Sequence, residues 1–130
     1  MYYIINTPTH PYGGEVMEFN SNQPIYIQIM SLLKSKIASG EISGGDKLPS
    51  VRELSKELKV NPNTIQRAYQ ELEREGVVFT QRGMGTYATE NVEAIRSLKM
   101  NMAQEIIDKF FIDMKRLGFN MDEIKKMFIE

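Results

Sequence analysis

The chain has 130 residues, 42% of them hydrophobic and 25% charged, the proportions of one globular domain with an appended element and no room for a large second domain. It contains no cysteine and a single histidine, His10, which excludes disulfides and thiolate metal sites and leaves no histidine pair to hold a metal, so no cofactor is expected. No run approaches membrane-spanning length and the N-terminus lacks the blocks of a signal peptide, so a soluble cytoplasmic protein is the expectation.

Residues 1–17 are poorly patterned. Thr7-Pro8-Thr9-His10-Pro11 and Gly13-Gly14 are loop chemistry, Tyr2-Tyr3 has no periodic continuation, and Met17-Glu18-Phe19 would itself serve as a start. The segment is therefore taken as an N-terminal extension without an assigned function. A domain is expected over 18–89 and a helical tail over 90–130.

Asn22-Gln23-Pro24 leads into Ile25, Tyr26, Ile29, Leu32, Leu33 and Ile37 with Gly40 beyond, a stripe that predicts a scaffold helix from Pro24 to Ser39. Its Lys34 and Lys36 are expected in solvent, with phosphate contact as the alternative. After a glycine-rich loop over 42–46, Ser50 stands three residues before Glu53, with Val51, Leu54 and Leu58 following. That is a capping box opening a short helix. Lys59-Val60-Asn61 then reads as a tight turn, with Asn61 capping the next helix and Pro62 at its first position.

On that second helix Ile65, Ala68, Tyr69 and Leu72 fall at i, i+3, i+4 and i+7, committing one face to a core. Asn63, Arg67, Gln70 and Arg74 share the opposite face with Gln66 beside them. Amides and guanidinia match the donor and acceptor pattern of base edges, Asn and Gln for adenine and Arg for guanine. A solvated face is the plainer alternative. What favours reading is the context: Gly76 and two strand-like runs, Val77–Thr80 and Thr86–Thr89, follow around Gln81-Arg82-Gly83-Met84-Gly85. Short capped helix, turn, longer helix and hairpin make a winged helix-turn-helix. Arg82 beside Gly83 suits a narrow minor groove, where negative potential is concentrated, with a plain solvent-exposed turn as the alternative.

A formal net charge of −1 is awkward for such a protein, because phosphate neutralisation supplies much of the affinity. Positive charge must therefore be concentrated. Lys47, Arg52, Lys56, Lys59, Arg67 and Arg82 gather around the two helices and hairpin, while Glu71, Glu73 and Glu75 collect at the far end of the second helix and are expected to face away from a duplex.

From Asn91 the helical period returns. Ile95, Leu98, Met102, Ile106, Phe110, Met114 and Leu117, broadened by Ile107 and Phe111, run to Gly118, and a final helix is expected over Asp122 to Ile129 with Ile124, Met127 and Phe128 inward. The two hold more apolar surface than they can bury on each other. A homodimer interface over Leu98, Met102, Ile106, Phe110, Phe111 and Met114 is the expectation, with packing on the winged domain as the competitor. Methionines 100, 102, 114, 121 and 127 are read as core filling, and an effector pocket between helices stays open.

From Gly40 to Tyr87 the chain resembles the DNA-binding domain of the GntR family of bacterial regulators. The resemblance rests on Gly45-Asp46-Lys47-Leu48-Pro49-Ser50, Arg52-Glu53-Leu54, Asn63-Thr64, Ala68, Leu72, Glu75-Gly76 and Gly83-Met84-Gly85-Thr86. Val60-Asn61-Pro62-Asn63-Thr64 with Arg67-Ala68-Tyr69 is most similar to its YtrA-like branch. The resemblance implies a dimeric regulator, a repressor on the branch's pattern and often transporter-linked, binding an inverted repeat. Its implied DNA contacts are Ser50, Arg52, Asn61, Asn63, Thr64, Arg67, Arg82 and Gly83, and the stripe itself adds Gln66 and Gln70. Two departures stand out: Pro62 and Met84 occupy positions that are often basic. A winged scaffold serving protein interaction without reading DNA is the alternative. An enzyme is not expected, since no nucleophile with its base and no paired ligand set is visible.

Overall fold

The apolar stripe after Pro24 folds as α1, Ile25–Ser39, which buries Ile29, Met30, Leu32, Leu33 and Ile37. Gly40 ends it at φ 86°, and Ile42 N–H returns to the Lys36 carbonyl at 2.9 Å, closing the last turn as a left-handed C-terminal cap does. Gln28 is the one buried polar side chain of the helix. It accepts from Asn20 N–H at 2.7 Å and donates to the carbonyls of Asn20 and Gln23, so a group that would be costly to bury alone instead fastens the chain leading into α1. The computed structural model describes residues 19–129. The expectations for residues 1–17, with His10 and the alternative start at Met17, lie outside them.

The capping signals act where they were read. Ser50 Oγ accepts from Glu53 N–H at 3.0 Å and the Glu53 carboxylate accepts from Ser50 N–H at 2.9 Å, opening α2, Val51–Leu58. Hydrogen bonds to the carboxylate from the Ser50 backbone N–H first and its side chain second, with a smaller contribution from Lys47, hold the Glu53 carboxyl below the usual carboxylate range. Lys59 at φ 57° turns the chain, and Asn61 Oδ1 takes Asn63 N–H at 2.8 Å to open α3, Pro62–Arg74.

Helix α3 lies against both α1 and α2 through Ile65, Ala68, Tyr69 and Leu72, each buried. With Leu48, Leu54, Val77, Val78 and Ala88 they form a single core. The hairpin pairs β1, Val78–Gln81, with β2, Gly85–Ala88, in the register Val78↔Ala88 to Gln81↔Gly85. Each strand stands one residue from its expected span, because pairing depends on where the turn closes, and composition does not specify that. The loop before α2 adds to the outer side of β2: Leu48 N–H donates to the Thr86 carbonyl and Ala88 N–H to the Asp46 carbonyl, both at 2.8 Å. The predicted winged helix-turn-helix is the fold observed.

The chain divides into two compact units, the first running as far as Leu98 and the second beginning at Lys99. The division falls within α4, Val92–Arg116, rather than at its start. Ile95 and Leu98 pack against the core of the first unit. In the second unit α5, Met121–Met127, is opened by an Asn120–Glu123 capping box and is shorter than the expected 122–129. Ile124 is its one buried residue, while Met127 and Phe128 are 55% and 70% exposed; the inward placement expected for those two is corrected, because a seven-residue helix has only a narrow inward face.

The Tyr69 hydroxyl donates to the Pro49 carbonyl at 2.6 Å, tying α3 to the entry of α2, and burial with Glu53 and Glu57 nearby raises its pKa far above the ordinary tyrosine value. Tyr69→Phe strands that carbonyl and is expected to cost about 1–2 kcal/mol, measured by urea unfolding; an unchanged midpoint and slope would show that the bond adds nothing.

Candidate nucleic-acid interface

Because Ile65, Ala68, Tyr69 and Leu72 fix the inner side of α3, the helical period sets the outer one. Asn63, Gln66, Arg67 and Gln70 are all exposed there and Thr64 is half-buried. Arg74, at the end of the stripe, is engaged by Glu71 at 3.1 Å. Asn61 uses Oδ1 as the helix cap, so its amide nitrogen is the group left to donate outward. Ser50 is similarly committed in the capping box, and Arg52 is exposed in the first turn of α2.

Arg67 is exposed yet held. Its guanidinium carbon lies 3.9 Å from the centre of the Tyr26 ring, and Nη2 donates to the Tyr26 hydroxyl at 3.3 Å. Sequence reasoning placed Tyr26 among the apolar residues of α1 and missed this contact. The only signal was a tyrosine at the edge of the stripe.

The wing is shaped by close approach. Gly83 turns the chain at φ 76°, with Met84 N–H returning to the Gln81 carbonyl at 2.9 Å, and Arg82 and Gly83 are exposed at its tip. Gly85, at φ 129°, lies under Lys47: a Cβ there would come 2.7 Å from Lys47 Cε. A lysine is thereby laid across the base of the wing.

The acidic end of α3 is occupied rather than free. Glu73 accepts from the Thr80 hydroxyl at 3.0 Å, joining helix to wing, and Glu75 pairs with Lys34 at 2.6 Å. Lys34, expected in solvent or on phosphate, is instead a bridge from α1 to α3, because their packing brings it to that carboxylate.

A second candidate surface belongs to the tail. Helix α4 has no buried residue along its 25 positions. Ile106, Ile107 and Phe110 are exposed, while Met102, Phe111 and Met114 are half-buried. Phe110 meets Phe111 edge-on at 5.5 Å and Phe128 at 6.0 Å. Leu98 is already packed on the first unit's core. Met100, Met121 and Met127 are exposed, correcting their expected role as core filling: among the described residues α4 and α5 do not enclose them.

Comparison with known proteins agrees with this geometry. The model of the gntR family of bacterial regulatory proteins matches residues 25–88. The chain is 45% identical over 107 residues to the uncharacterised HTH-type regulator YhcF of Bacillus subtilis, a match covering 82% of this chain and 88% of that one. It is 43% identical over 105 residues to the HTH-type transcriptional repressor YtrA of the same organism, covering 80% and 81%. A GntR-family regulator from Listeria monocytogenes superposes with a TM-score of 0.77 at 42% identity over 84% of this chain and 96% of its own. The DNA-binding domain of AraR, solved in complex with its operator ORX1, gives 0.53 at 28% identity over 58% and 96%.

Fold and site thus define a DNA-binding transcriptional regulator of the winged helix-turn-helix class. The chain belongs to the GntR family, and its likeness to YtrA agrees with the branch its sequence resembles.

Proposed function

We propose that the protein is a homodimeric repressor that occupies an inverted-repeat operator, reading bases in the major groove with α3 and entering the minor groove with the wing. The observation that carries this is the exposed row Asn63, Gln66, Arg67 and Gln70 on a helix whose opposite side is wholly buried. Around it, Ser50, Arg52, Asn61 and Thr64 fix register on the phosphates, and Arg82 with Gly83 takes the minor groove. The repressor role is supported by the name of the similar YtrA protein; a transporter-linked target is the family's pattern. A cytoplasmic location accords with action on DNA. No described helix is long and apolar enough to cross a membrane.

Dimerisation is assigned to the tail. An amphipathic helix with nothing buried leaves apolar area in water at roughly 25 cal/mol per Å², and a second copy covers it with twofold symmetry matching a palindromic site. The interface comprises Met102, Ile106, Phe110, Phe111 and Met114.

Arg67→Ala is expected to cost on the order of 1–3 kcal/mol of operator binding and to relax preference at one base pair, measured by titrating operator and single-substituted duplexes; unchanged affinity and preference would refute the reading helix. Arg82→Ala should lower affinity on every sequence and make the salt slope shallower by roughly one, whereas an identical slope would take the wing off the phosphates. Phe110→Asp should sediment as a monomer with helix content kept and operator affinity much reduced; a persisting dimer would move the interface elsewhere.

A further inference from the structure

We propose that Tyr26, on the scaffold helix α1, is a positioning residue for base reading: its ring holds the Arg67 guanidinium at the exposed surface of α3 before DNA arrives. The inference rests on the reading role given to Arg67 above.

The two residues come from different helices, and what each contributes differs. Tyr26 packs against the core, so its ring is a fixed platform. Arg67 is exposed, and a long side chain in that position ordinarily samples many rotamers that must be given up when it docks. With its carbon 3.9 Å over the ring centre and Nη2 on the tyrosine hydroxyl, the guanidinium is confined to one region before binding.

The mode of confinement matters chemically. A cation held over a ring needs no carboxylate partner, and the guanidinium carries five N–H donors. One is taken by the hydroxyl and four remain for the O6 and N7 acceptors of a guanine. Among the described residues no carboxylate pairs with Arg67, although three neighbouring charges on the same domain, Lys34, Arg74 and Glu75, are all in ion pairs. A carboxylate would have cancelled the charge and competed with DNA. An aromatic platform does neither.

The test uses the full-length chain and a duplex recovered by in vitro selection with it, in which the guanine read by Arg67 is the position whose preference Arg67→Ala loses. Tyr26→Ala is expected to weaken binding to that duplex about 3- to 10-fold. It should leave affinity unchanged for the duplex with that guanine replaced, and should add nothing in an Arg67→Ala background. Tyr26→Phe, which keeps the ring, should retain most of the affinity; melting curves establish that each variant folds, and Tyr26→Leu substitutes if the alanine variant does not. Equal loss on both duplexes would make Tyr26 a general scaffold or phosphate contact and overturn the proposal. Tighter binding by Tyr26→Ala would also overturn it, by showing that the ring withholds the arginine. A wild-type chain that selects no sequence would instead remove the reading role of Arg67 itself, an outcome distinct from either.

Discussion

Everything in the first unit depends on the burial of one side of α3. Ile65, Ala68, Tyr69 and Leu72 are each at most 5% exposed, and they face α1 and α2 at once. A thirteen-residue helix would be marginal alone; packing holds it, and the 3.6-residue period then leaves Asn63, Gln66, Arg67 and Gln70 no orientation but outward. The same four buried residues therefore stabilise the domain and orient the exposed polar row.

Around that helix the structure places struts at each end. At its start, the Asn61 cap and the Ser50–Glu53 box fix where α2 stops and α3 begins, and Tyr69 ties the pair together through Pro49. At its end, Glu73 binds Thr80 and Glu75 binds Lys34, so the acidic cluster that troubled a charge count is spent on holding the wing and α1. Exposed pairs of this kind contribute little energy each. Their effect here is geometric, and it lets a chain of net charge −1 keep Arg52, Arg67 and Arg82 outward.

Much of this was legible in the sequence because it is local. Caps, a proline at the first helical position and an i, i+3, i+4, i+7 row announce themselves within a dozen residues, and α2 and α3 appear where those signals stand. Strand ends moved by one residue because register depends on how Gly83 and Gly85 close the turn. Tyr26 on Arg67, Lys34 on Glu75 and Thr80 on Glu73 were illegible for a different reason: their partners are distant in sequence or lie across elements, and nothing local encodes a meeting. The tail shows the opposite failure. Its methionines and Phe128 have an inward period, but α4 and α5 alone cannot enclose them, so periodicity marked a face that needs covering without saying what covers it.

The central claim is that α3 meets base edges in the major groove, and probing guanine N7 on bound DNA tests it most directly. Dimethyl sulfate reacts there, and binding by the full chain should protect guanines in two clusters about one helical turn apart. Protection confined to adenine N3, which the same reagent reaches from the minor groove, or a bound duplex whose guanines all react as in free DNA, would contradict it.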